Sequence, residues 1–176
     1  MKIIKWIFRL VLAAAFAGVA CLGAVALYRL SAETGEVSGT RSQNLTEIIS
    51  EGIHKLTEND PKAAQLADRV KTKIEEQSPY GNDWNMTIRK LAHFSIYFFF
   101  GVIAYVILSI LHFPFSLRWL LCLLACGGLA LFDELHQGQT AGRVMSGMDV
   151  LIDFAGAFCS VTFLCMNGKI SKWLRS

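Results

Sequence analysis

Read for polarity alone, the chain alternates apolar runs with polar stretches, and one of the polar stretches is long. Residues 10–28 are almost wholly apolar, close to the roughly 20 positions that a spanning helix needs. A second apolar run follows His93 and reaches Phe113, where Pro114 interrupts it; a third covers residues 119–132 and a fourth residues 150–166. The third is short for a span. Carrying its helix on to Gln137 gives about 28 Å, enough to cross, and draws Asp133, Glu134 and His136 to the membrane boundary. The pattern predicts an all-α integral membrane bundle of four transmembrane helices.

The long polar stretch lies between the first and second runs. Leu45, Ile48, Ile49, Ile53 and Leu56 follow helical spacing, as do Ala63, Ala67, Val70 and Ile74. Asp60-Pro61 reads as the start of the second helix, with the aspartate as cap and the proline at the first helical position. Pro79-Tyr80-Gly81-Asn82-Asp83 reads as the turn that ends the region. The chain thus divides into an N-terminal helix over residues 1–28, a helical segment over 29–84, a three-helix membrane domain over 85–168 and a basic tail over 169–176. Ala24-Val25-Ala26 is similar to a signal-peptide cleavage site, but the length of the first run favours an uncleaved helix.

Composition agrees with a membrane protein: 53% of the 176 residues are apolar and the mean hydropathy is +0.42. The net charge of +3 forms no basic stripe, and no nucleic-acid motif accompanies it. The five cysteines, Cys21, Cys122, Cys126, Cys159 and Cys165, all lie in apolar runs without a Cys-x-x-Cys pair. They give neither a disulfide framework nor a zinc site and read as small buried hydrophobes.

Charge placement sets a topology. Lys2, Lys5 and Arg9 precede the first helix, Arg118 lies between the second and third, and Lys169, Lys172 and Arg175 follow the fourth. All are cytoplasmic if both termini are inside, which makes the segment over residues 29–84 extracytoplasmic. The second helix then begins, the third ends and the fourth begins at the outer boundary. Three polar motifs meet at that level: Arg89, Lys90, His93 and Tyr97; then Asp133, Glu134, His136 and Gln137; then Arg143, Asp149 and Asp153. Arg89, His93 and Tyr97 recur every four residues, on roughly one helix face.

Charged groups at membrane depth are paired, hydrated or used, and three readings of this cluster stand side by side. It is an ion-pair network that fixes helix packing. Alternatively it binds an anionic lipid or lipid-linked headgroup, with Arg89, Lys90 and Arg143 meeting phosphate and the carboxylates meeting hydroxyl or amine groups. On the third reading, Asp133, Glu134, Asp149 and Asp153 with His93 or His136 hold a divalent metal or act as acid and base on a phosphoester. No His-Glu-x-x-His, Gly-x-Ser-x-Gly or phosphate loop is present, so the pattern names no cofactor, metal or catalytic residue.

The motifs Arg89-Lys90-Leu91-Ala92-His93-Phe94-Ser95-Ile96-Tyr97, Asp133-Glu134-Leu135-His136-Gln137, Gly142-Arg143 and Asp149-Val150-Leu151-Ile152-Asp153-Phe154-Ala155-Gly156 resemble the VanZ-like family of bacterial membrane proteins. The resemblance covers about residues 85–166. It implies a multi-pass protein of the bacterial plasma membrane and cell envelope, in a family named after a member that lowers susceptibility to the glycopeptide teicoplanin. It implies no known reaction. Membrane lipids and a lipid-linked cell-wall precursor are the partners that this reading favours. The family's polar pattern carries onto Arg89, His93, Tyr97, Asp133, Glu134, Gln137, Arg143, Asp149 and Gly156, and Asp153 stands where many members have asparagine.

Overall fold

The computed structural model describes residues 2–167, and six helices account for most of them. They are α1 (Lys2–Ser31), α2 (Gly35–Thr57), α3 (Pro61–Gln77), α4 (Trp84–Ile110), α5 (Phe115–Gln137) and α6 (Gly147–Met166). No strand occurs among the described residues. Four helices, α1, α4, α5 and α6, are long and apolar enough to cross a membrane, so the chain is an all-helical, multi-pass membrane protein. The basic tail with Lys169, Lys172 and Arg175 lies outside the described residues.

The chain groups into two units. The first, Thr34–Ala92, contains α2, α3 and the first turns of α4. Its helix ends are set by short polar side chains. Asp60 Oδ1 accepts from the backbone N–H groups of Lys62 (2.9 Å) and Ala63 (3.3 Å), so it satisfies two donors that have no partner inside α3. Pro61 takes the first helical position, where a missing N–H costs nothing. Thr34 caps α2 by accepting from Val37 N at 3.4 Å. After α3, the Trp84 indole donates to Glu75 Oε1 at 2.7 Å, and Ser78 Oγ meets Thr87 Oγ1 at 3.1 Å. These contacts fold the turn over residues 78–83 back onto the helix that precedes it.

The second unit holds α1, α5, α6 and α4 from His93 onward. Its interior has two apolar clusters. Tyr105, Cys122, Leu123, Val161 and Cys165 form one, with Trp119 and Phe154 packed against it; Leu27, Tyr97 and Ala130 form the other, with Ile96, Phe100 and Val150 around them. Phe99, Leu124, Leu131, Phe132, Leu151 and Phe163 instead point outward and stay exposed, the arrangement expected when the surrounding medium is lipid tails.

Lipid does not drive apolar faces together, so helices in it pack through close backbone approach at small residues. Gly156 of α6 is such a place, because a Cβ there would overlap the carbonyl oxygen of Phe94 on α4. Gly101 of α4 repeats the device in reverse, and its Cβ would overlap Ser160 Oγ of α6. The α4–α6 contact is therefore a backbone-to-backbone one, and it sets the depth at which side chains of the two helices meet.

At the other end of α4 and α5, Arg118 is 1% exposed. Its Nη1 donates to Ser109 Oγ at 2.6 Å, and its guanidinium lies 5.0 Å from the centre of the Tyr105 ring. The residue that topology assigns to a short loop is in fact a structural part of the helix junction.

Candidate functional site

The polar cluster is built where α4, the end of α5 and the start of α6 converge. His93 comes from α4, Asp133, Glu134 and Gln137 from the last two turns of α5, and Asp149 and Asp153 from the first two turns of α6. Successive helical residues differ by about 100° in direction, so the α5 segment Asp133 to Gln137 distributes its polar groups among different neighbours.

Asp133 and Gln137, four residues apart, share the inward face. Gln137 Nε2 donates to Asp133 Oδ2 at 2.8 Å, and both residues are buried. Across from them, His93 Nδ1 meets Asp153 Oδ1 at 3.2 Å, with Asp153 fully buried and the His93 side chain 14% exposed. One ligating atom from each of His93, Asp133 and Asp153 lies within 4.8 Å of the others. Tyr97, one turn further along α4, is also fully buried and lies within electrostatic reach of Asp133, Asp153 and Glu134.

Glu134 turns toward the α5–α6 connection, where its Oε1 accepts from the backbone N–H of Ser146 at 2.5 Å. Asp149 is buried in the first turn of α6 and is near enough to Glu134 and Asp153 to act on both electrostatically. Arg143 sits half-buried in the connection itself, just after Gly142, whose φ of +75° falls in the left-handed region that glycine adopts without strain.

His136 faces another way. Its Nδ1 meets Ser31 Oγ of α1 at 3.1 Å, and its ring lies 4.4 Å from that of Tyr28. Ser31 Oγ also reaches the Asp133 carbonyl at 3.3 Å, and Thr140 Oγ1 reaches the Ser31 carbonyl at 3.4 Å. Thus His136 docks α5 on α1, whereas His93, Asp133 and Asp153 come together. Arg89 and Lys90 are both half-buried and belong to the Thr34–Ala92 unit. Two contributors carry no sequence motif: Ser31, a polar residue at the end of an apolar helix, and Ser146, which takes part through its backbone N–H.

Three buried polar atoms here have no hydrogen-bond partner among the described residues: Asp153 Oδ2, Glu134 Oε2 and the Tyr97 hydroxyl. Buried polar groups are nearly always satisfied. The site therefore keeps unused capacity to accept a cation or donor groups beside a hydroxyl that can itself donate. His93, Asp133 and Asp153 are the set suited to a metal ion, offering one imidazole and two carboxylates.

Fold and site together define a polytopic helical membrane protein with an acidic, histidine-containing cluster buried where three of its spans meet. The VanZ/LLP1 family model matches residues 12–167, and the chain belongs to that family. No curated protein and no solved structure matches it.

Proposed function

We propose that this protein works in the bacterial cell envelope, using the buried cluster to engage the polar headgroup of a membrane lipid or lipid-linked cell-wall precursor at the outer boundary of the plasma membrane, and so affects susceptibility to glycopeptides such as teicoplanin. Both termini are cytoplasmic in this reading. Lys2, Lys5 and Arg9 at the start of α1 support that orientation. It puts Asp133, Glu134, Asp149 and Asp153 on the outer side, where precursor headgroups are exposed.

One observation carries the reading: Asp153 Oδ2, Glu134 Oε2 and the Tyr97 hydroxyl are buried without hydrogen-bond partners among the described residues. A network kept only for packing would satisfy its members with one another, because each orphaned group is a cost of about 1–3 kcal/mol. Unused capacity on three neighbouring residues favours a ligand. Carboxylates accept from sugar hydroxyl or amine groups, and Arg143 suits phosphate or carboxylate.

The test pairs folding with phenotype. Asp149→Asn and Glu134→Gln are expressed separately, and detergent-folded yield, co-purifying lipid by mass spectrometry and glycopeptide susceptibility are measured. Folded protein that loses its lipid and shifts susceptibility supports the reading. Loss of fold in both variants, or folded variants with unchanged lipid and susceptibility, returns the cluster to helix packing.

The His93–Asp153 pair favours a second reading, in which the protein is an enzyme acting on a phosphoester of a lipid-linked substrate. A carboxylate that orients an imidazole is the usual support of a general base. Turnover of a lipid-linked pyrophosphate by purified protein, abolished in His93→Gln, separates enzyme from binder.

A further inference from the structure

We infer that His93, Asp133 and Asp153 hold a divalent cation of the Mn2+ or Zn2+ kind, and that its open coordination positions face the headgroup. The cation itself is argued from the cluster alone; only what meets its open positions rests on the headgroup reading.

Geometry comes first. Two ligands on one such ion stand about 3.0–3.5 Å apart, given metal–ligand bonds near 2.1 Å. His93 Nδ1 and Asp153 Oδ1 are already at 3.2 Å, and the Asp133 ligand atom is within 4.8 Å of both partners. Gln137, bonded to Asp133 Oδ2 at 2.8 Å, orients that carboxylate as outer partners of metal ligands do.

Independent support comes from the orphaned atoms. Asp153 is 0% exposed, yet Oδ2 of the same carboxylate that meets His93 has no hydrogen-bond partner among the described residues. The Tyr97 hydroxyl is likewise fully buried and unpartnered, and Asp133 and Asp153 are both in its field. Two sequestered oxygens of different residues thus keep spare capacity in this part of the bundle.

Charge makes the same demand. Asp133, Glu134, Asp149 and Asp153 are all buried, and four carboxylates would carry four negative charges into a medium that tolerates few. A divalent ion held by His93, Asp133 and Asp153 offsets two of these charges. The ion also explains how an acidic pocket meets an anionic lipid: a metal held by carboxylates bridges to phosphate, as magnesium does at nucleotide sites. One imidazole beside two carboxylates suits Zn2+ through the nitrogen and Mn2+ through the oxygens.

The experiment uses the full chain in lipid nanodiscs, stripped with chelator and titrated with Mn2+, which the five thiols of this chain bind poorly compared with zinc. Electron paramagnetic resonance is expected to show one bound Mn2+ per chain, and spin-echo modulation a single imidazole nitrogen. His93→Gln, Asp133→Asn and Asp153→Asn should each weaken binding by about tenfold or more, while His54→Gln, remote in sequence on α2, leaves it unchanged. Folded wild-type protein that binds no stoichiometric Mn2+, or binds it without the nitrogen signal, overturns the inference even if every variant misfolds. So do folded variants of all three residues with unaltered affinity. Lipid retained by chelator-stripped protein is scored separately, so loss of the cation proposal leaves the headgroup reading to its own measurement.

Discussion

Asp153 of α6, with no exposed surface, faces His93 of α4 at 3.2 Å, although 60 residues separate the two in the chain. The meeting is possible because one turn beyond Asp153, at Gly156, the backbones of α4 and α6 nearly touch. Removing the imidazole leaves a carboxylate in a low-dielectric interior with one fewer partner. His93→Ala is expected to destabilise the folded protein by about 1–3 kcal/mol. Adding Asp153→Leu should recover part of that loss, because the uncompensated charge goes with it. Unfolding in mixed micelles gives the numbers, and strict additivity of the two changes would mean that the residues do not interact.

Gly156→Ala tests the close approach directly. The new methyl group would collide with the Phe94 carbonyl, backbone that cannot move without shifting α4, and overpacking of this kind costs about 1–3 kcal/mol. Gly18→Ala is the control, since a Cβ there meets nothing within 4 Å. Thermal stability in detergent should fall for the first substitution and hold for the second. Equal stabilities would disprove the backbone contact.

Arg118 makes its own prediction. Being buried against Ser109 and the Tyr105 ring, it cannot be treated as a loop charge. Arg118→Ala should lower stability by about 2–4 kcal/mol, losing both a charge-assisted hydrogen bond and packing. Arg118→Lys keeps the charge but not the planar fork, and should fall between. Folded yield and melting temperature rank the three, and a wild-type result for alanine would refute the structural role.

In the Thr34–Ala92 unit, Asp60→Ala removes the side chain that accepts from Lys62 N and Ala63 N. Loss of such a cap costs about 1 kcal/mol. Hydrogen exchange should quicken in the first turn of α3 and stay the same in α5 and α6.

Topology is checked at Gln139, which is exposed just after α5. In a background with Cys21 and Cys159 replaced, Gln139→Cys should react with a membrane-impermeant maleimide on intact cells. Labelling only after permeabilisation would place the cluster on the cytoplasmic side and remove the proposed outer-leaflet ligand.

Much of the fold was legible from local chemistry. The four apolar runs became α1, α4, α5 and α6, and the third run did extend to Gln137, because the hydrogen bonds of a helix in lipid cannot be left open where hydrophobicity lapses. Asp60-Pro61 started α3 as that dipeptide should. Less was legible in the site. Asp133, Glu134, His136 and Gln137 read as one motif, yet they serve three neighbours: Asp133 and Gln137 the interior, Glu134 the backbone at Ser146, and His136 the end of α1. Ser31 carries no pattern that would announce it.

The sequence by itself determined where the apolar helices lie, that Asp60 and Pro61 start α3, and that several ionisable groups lie at the ends of those helices. These follow from hydropathy and hydrogen bonding over a few residues, so neighbours in sequence suffice. Only the tertiary structure decided that His93 pairs with Asp153 while His136 does not join it, and that Arg118 is buried. Those choices depend on how each helix is rotated and how closely its backbone approaches the next, which glycines distant in sequence control through sterics rather than through any local pattern.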